Sequence, residues 1–350
     1  RLRALGLDHI EEHPVPDDRV PCGCRPNIVV HLQGKRSDGK VWIFTHLDVV
    51  PPGEMSAWEA DPYRAFEREG RIYGRGTEDN QQDMVASIFA AKAFLDEGIQ
   101  PERSVGLVFV SDEETGSKWG IEYLVLHRKI PFKKTDHLVI PDFGNDKGTM
   151  IEVAEKSMLW VRFQSKGKQC HASTPSLGNN AFLAASHLVV RLQALHTLFG
   201  AVDPVYDPPR STFEPTKKEA NVPNVNTIPG DDVFYLDCRV LPQYPLDDVL
   251  DQMRGLADEI ERAFGVTVAI SPIQKNQAPP PTPDDAPVVR ALQAAVKDVY
   301  GVSASPVGIG GGTVAAFFRQ EGFPAAVWSR IANCDFKLGR CAPRALRLYR

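Results

Sequence analysis

Three short apolar runs constrain this chain most: residues 41–44, 105–110 and 137–140. Each reads as a buried strand, and each ends directly on a polar segment. A helical stretch, residues 84–95, lies between the first two and ends near Gly98. The order strand, polar loop, helix, strand, polar loop, helix, strand argues for an α/β fold. Its sheet would be mixed or mainly parallel, with helices on both faces. In such sheets the site lies beyond the carboxyl ends of the strands. His46 stands after the first run, Glu113 and Glu114 after the second, and Asp142 after the third, while Asp79 opens the helix. One rim would gather all five.

Around this frame, residues 28–33 read as a strand neighbouring 41–46, with 34–40 as a hairpin loop. Residues 51–70 are expected to be irregular, with Trp58 and Tyr63 packing near the site entrance. The helix at 84–95 is expected to be largely buried. From Ser157 the character changes. Strands at 158–163, 233–240 and 266–270 alternate with helices at 181–195 and 247–264, which suggests a separate α+β module. The run Ala278-Pro279-Pro280-Pro281 marks the return. A helix at 286–300, a glycine run at 310–312 opening a helix at 314–319, and a strand at 325–329 follow. The expected division is a catalytic domain of residues 1–156 and 278–350, with 157–277 inserted.

Composition excludes several classes. With 350 residues, 43% hydrophobic and 24% charged, the chain has room for two domains. A net charge of -5 offers no basic surface for nucleic acid. No apolar run approaches the roughly 18 residues that span a bilayer. Cys22, Cys24, Cys170, Cys238, Cys334 and Cys341 form no disulfide or zinc pattern, which fits a reducing cytoplasm. The chain starts at Arg1 without a Met, so a fragment or processed product is expected.

The chemistry lies in the rim residues. The His46 imidazole can give one nitrogen to a cation while the Asp48 carboxylate holds the ring. Histidine with carboxylates suits zinc, or cobalt or manganese in its place. The ligand set at hand is His46, Asp79, Glu114 and Asp142. Asp79 is the natural bridge between two cations, because a helix start lets both its oxygens face outward. Glu113 and Glu114 are adjacent and cannot share one role. One can bind metal while the other takes a proton from water.

These residues sit in motifs: His46-Leu47-Asp48-Val49-Val50-Pro51, Gly74-Arg75-Gly76-Thr77-Glu78-Asp79, Asp112-Glu113-Glu114-Thr115-Gly116 and Pro141-Asp142. Further motifs are His171-Ala172-Ser173-Thr174-Pro175, Asn226-Thr227-Ile228-Pro229, Asp237-Cys238-Arg239 and Gly310-Gly311-Gly312-Thr313. In these the chain resembles the M20 family of metallopeptidases and deacylases, over nearly its whole length. The resemblance implies a zinc-exopeptidase-like catalytic domain, with a mixed sheet flanked by helices. It also implies an inserted ferredoxin-like lid that serves in dimerisation. Two Zn2+ ions per subunit are implied, with Co2+ or Mn2+ able to replace them. His46, Asp79 and Asp142 would hold one, and Asp79 and Glu114 the other. Asp48 would orient His46, and Glu113 would be the general base and acid of amide hydrolysis. In dimeric relatives the counterpart of His171 reaches the partner's active site. Asn226, Arg239, Gly311, Gly312 and Thr313 match substrate-handling positions, though Arg239 could instead pair with a nearby acid.

The resemblance thus points to a cytoplasmic homodimer of amino-acid metabolism that hydrolyses a small N-acyl amino acid. An M20-type di- or carboxypeptidase is the alternative. Family members carry a last His ligand near the C-terminus, whereas no His follows His196 here. A truncated or frame-shifted C-terminus would explain this, and Cys334 or Asp335 could substitute. The second cation would then be weakly held, and a catalytically impaired ligand-binding protein becomes a further alternative.

Overall fold

The structure is a computed structural model and describes residues 1–331. In chain order its main strands are β1 (Ile10–Glu12), β2 (Ile28–Leu32), β3 (Arg36–His46), β4 (Arg103–Val110), β5 (His137–Gly144) and β6 (Met150–Glu155). Then follow β7 (Ser157–Lys166), β8 (Thr212–Lys218), β9 (Asp231–Val240), β10 (Thr267–Asn276), β11 (Ser305–Ile309) and β12 (Ala325–Ser329). The helices are α1 (Gln81–Asp96), α2 (Ile121–Leu126), α3 (Ala181–Leu192), α4 (Leu246–Phe264), α5 (Pro287–Tyr300) and α6 (Ala315–Gln320).

The chain forms two compact units. The first comprises Arg1–Val153, Pro281–Val307 and the described chain from Thr313, and the second Ala154–Pro280 with Gly308–Gly312. The glycine run therefore groups with the second unit rather than with the residues around it in sequence.

The first unit is built on an eight-stranded sheet in the order β1-β2-β4-β3-β5-β12-β6-β11. Its centre, β4-β3-β5-β12, is parallel, while β1 and β2 run antiparallel to their neighbours and β6 runs antiparallel to β12. The hairpin expected between 28–33 and 41–46 does not form. β4 lies between those strands and pairs with both. Its apolar residues are buried on both faces, so it takes an interior place, and the chain from β2 to β3 crosses its end. Trp42 lies beside Gly106 in the ladder, and a Cβ at Gly106 would stand 2.1 Å from the indole. That close approach requires glycine.

The sheet buries Trp42, Phe44, Val108 and Leu138 under α2 and α6 on one face. On the other, Val30, Leu107 and Phe109 pack with Met84, Ile88 and Ala91 of α1. Helix α1 is less buried than its apolar sequence suggests, because Val85, Phe89 and Leu95 face outward. It also begins at Gln81, so Asp79 stands two residues before the helix rather than at its first position. Residues 51–70 are not wholly irregular, since 66–68 and 71–73 pair as a hairpin.

The second unit is a four-stranded antiparallel sheet, β8-β9-β7-β10. Leu159, Val161 and Phe163 of β7 share a core with Ala184, Leu188 and Leu192 of α3 and with Val249, Met253 and Ile260 of α4. The 181–195 helix is shorter than its sequence period suggests, ending at Leu192 before a separate turn at Leu195–Leu198. No helix among the described residues is long and apolar enough to cross a membrane. Cys334 and Asp335, the substitutes considered for the absent histidine, lie outside the described residues.

Candidate metal centre

The carboxyl ends of the central parallel strands carry the site. His46 closes β3 and is 3% exposed. Its Nδ1 donates to the backbone carbonyl of Asp48 at 2.9 Å, which fixes the ring and turns Nε2 outward. Nε2 stands 3.0 Å from Asp79 Oδ1 and 3.6 Å from Asp142 Oδ1. Asp142 lies within β5 rather than after it, because the strand runs on to Gly144.

The Asp48 side chain acts differently from the sequence-based expectation. Its carboxylate lies 3.7 Å from Nδ1 and accepts instead from the backbone N–H groups of Glu113 and Glu114, each at 3.1 Å. Residues 113–115 form a single tight turn after Asp112, which adopts a left-handed φ of 69°. The turn presents two successive N–H groups to one carboxylate, and they leave no closer oxygen for the imidazole. Asp112 is fully buried and accepts from the Trp119 N–H at 3.1 Å and the Thr115 hydroxyl, so the turn is held from both sides.

Asp79, Asp142, Glu113 and Glu114 crowd around a single imidazole. Burial disfavours a charged His46, but hydrogen bonds to Asp142 and Asp79 outweigh it and raise the ring to about 11. Burial pushes Glu113 well above the usual carboxylate range, and the Asp142 charge adds to it. Burial and the Asp79 charge lift Glu114 to about 7.

The donor chemistry fits divalent cations. Donor atoms of His46, Asp79 and Glu114 lie within 4.8 Å of one another, and Asp142 approaches through His46 Nε2. Imidazole nitrogen with carboxylate oxygen is a zinc-type donor set, which manganese and cobalt also accept. Glu113, His46, Asp142 and Asn80 line one pocket with Phe44, Val110, Ile140 and Val314, so the site has an apolar wall.

The remaining expected residues lie elsewhere in the chain. In the second unit His171 is exposed, with Nδ1 2.7 Å from Ser173 Oγ and Nε2 3.4 Å from Asn226 Nδ2. Arg239 directs its guanidinium onto both Asp237 oxygens and onto the Gly310 carbonyl at 2.8 Å. It therefore already has the acid partner that the sequence allowed as its alternative. A Cβ at Gly310 or Gly311 would meet nothing within 4 Å, and one at Gly312 only ordinary contacts, so the chain's own packing does not demand these glycines. Thr313, in the first unit, caps the next turn by accepting from Ala315 N–H at 3.2 Å.

Two residues at the rim escaped the sequence reading. Asn80 reaches Asp142, and Asp83 accepts from the Ser329 hydroxyl. Asn80 directly follows Asp79, and Asp83 lies one helical turn beyond it, a spacing that could have marked both.

The chain is similar in sequence and in fold to known proteins. A sequence model described as peptidase family M20/M25/M40 matches residues 42–342. An uncharacterized metallohydrolase of Methanocaldococcus jannaschii is 39% identical over 315 residues, covering 87% of this chain and 76% of the relative. A succinyl-diaminopimelate desuccinylase of Cupriavidus taiwanensis is 30% identical over 240 residues, which is 66% of this chain and 59% of that relative. A tripeptidase of Staphylococcus aureus shares the fold, with a TM-score of 0.72 at 19% identity over 94% of this chain and 81% of its own.

Proposed function

Because this chain belongs to peptidase family M20/M25/M40, whose members are metallohydrolases, we propose that it hydrolyses the amide bond of an N-acyl amino acid, with Glu113 as general base. The observation that carries this reading is Glu113 itself. It is a largely buried carboxylic acid lining the same pocket as His46 and Asp142, and burial with the Asp142 charge raises it well above the usual carboxylate range, which favours proton uptake. The desuccinylase relative supports an acylated amino acid over a plain peptide.

His46, Asp79, Glu114 and Asp142 would hold two divalent cations, zinc foremost. Bound there, the cations supply an electrophile for the carbonyl and make water acidic enough to lose a proton. Glu113 accepts that proton as the water oxygen attacks, and later gives it to the leaving amine nitrogen. Asp48 keeps Glu113 and Glu114 in register by capping both N–H groups. The exposed His171 would serve the active site of a second copy in a homodimer formed through the second unit. Asn226, Arg239, Gly311, Gly312 and Thr313 would be substrate-handling residues, as the family resemblance implies.

A panel of N-succinyl-diaminopimelate, N-acetylornithine and simple dipeptides tests the reading. Turnover of an acylated amino acid is expected, and turnover of dipeptides alone would replace it with a peptidase. Glu113→Gln should abolish hydrolysis while metal binding persists. If that variant changes no measurable activity, the chain is a binder rather than an enzyme. Calorimetry should find at least one tightly held divalent cation, whose binding is lost when His46 is replaced by Ala.

A further inference from the structure

We propose that Asn80 is a positioning residue that presents Asp142 to the metal, an inference that rests on Asp142 being a ligand. Asn80 is 1% exposed. Its side-chain amide donates one hydrogen to the Pro141 carbonyl at 2.7 Å and the other to Asp142 Oδ1 at 2.8 Å. A single NH2 group thus fixes both the backbone entering Asp142 and the carboxylate itself. The reverse amide orientation would set Oδ1 against two acceptors, so the network leaves one choice. Oδ1 is buried and finds no partner among the described residues, which shows that the donor end governs the placement.

The amide also suits the charge of the site. Asp142 stands among Asp79, Glu113 and Glu114. A lysine or arginine at position 80 could also hold Asp142, but its charge would cancel the carboxylate's pull on a cation. Asparagine offers two donors and no charge, so Asp142 is oriented yet keeps its full negative charge.

The turn that carries Asn80 is itself anchored. Three residues on, both oxygens of Asp83 accept from the Ser329 hydroxyl, at 2.8 and 2.9 Å. Ser329 lies beside Gly144 in the β5–β12 ladder, and an ideal Cβ at Gly144 would fall 1.7 Å from its carbonyl oxygen. Glycine permits that approach. The start of α1 is therefore tied to the ends of two adjacent strands, and Asn80 spans the gap to Asp142 between these ties.

The test uses the full chain stripped with chelator, and compares wild type with Asn80→Ala and Asn80→Ser. Zn2+ calorimetry should show the tightest site weakened about 10- to 100-fold in Asn80→Ala. Asn80→Ser, which keeps one donor, should fall between. With one equivalent of Co2+, the visible absorption of Asn80→Ala should differ from wild type, because a ligand has changed its position. Folded variants with wild-type affinity and an unchanged Co2+ spectrum would overturn the inference. So would failure of both variants to fold, since Asn80 would then serve the fold rather than the ligand. A wild type that binds no divalent cation would instead overturn the reading of the site.

Discussion

Replacing Asp83 with Asn should change how stability depends on pH. In the folded, metal-free protein burial lifts the Asp83 carboxyl to about 7, the Ser329 hydrogen bond opposes the rise, and the charges of Asp142 and Glu78 add to it. In the unfolded chain an aspartate titrates near 3.9. Between about pH 4 and pH 7 the native state therefore holds a proton that the unfolded state has released. Stability falls as pH rises wherever the native state binds more protons, so it declines through this window. A difference of about three pH units, at about 1.4 kcal/mol each, sets a ceiling of about 4 kcal/mol. The amide of Asp83→Asn still accepts from Ser329 and never ionises. Urea unfolding in chelator should find the two proteins within about 1 kcal/mol near pH 4.5, with the variant about 2–4 kcal/mol more stable near pH 8. Taking the difference between variant and wild type cancels the titrating groups that do not interact with Asp83, leaving Asp83 with its couplings to Asp142 and Glu78. A gap that stays constant from pH 4.5 to 8 would refute the reasoning.

Other substitutions probe the frame around the site. Asp48→Ala removes two charge-assisted hydrogen bonds to the Glu113–Glu114 turn, so steady-state assays should show kcat lowered about 10- to 100-fold. Arg319 and Glu152 form an ion pair at 2.8 Å, with side chains 2% and 0% exposed. Arg319→Ala removes this guanidinium from a buried carboxylate and should cost about 3–5 kcal/mol in denaturant unfolding, whereas Arg319→Met together with Glu152→Leu should cost much less. Gly106→Ala drives a methyl into the Trp42 ring and should lower the thermal midpoint, at about 1–3 kcal/mol.

The sequence by itself determined which residues reach the rim. Apolar runs leading to His46 and, three residues beyond Val110, to Glu113 gave strands whose carboxyl ends converge, because a strand buried on both faces is apolar on both. The antiparallel module was legible in the same way, from alternation along β9 and the long amphipathic α4. Strand order was not legible. The short link between β2 and β3 looks like a hairpin, and only competition for the most apolar neighbour placed β4 between them. The roles of second contacts were equally hidden. Asp48 was read as a partner of His46 because the two are close in sequence. Folding brings in the Glu113 and Glu114 N–H groups from 65 and 66 residues away along the chain, and they take the carboxylate instead. Asn80 and Asp83 meet Asp142 and Ser329 across 62 and 246 residues. Residue type and local period determine which groups reach the rim. Which oxygen meets which hydrogen there depends on contacts between distant strands, and those exist only once the sheet is assembled.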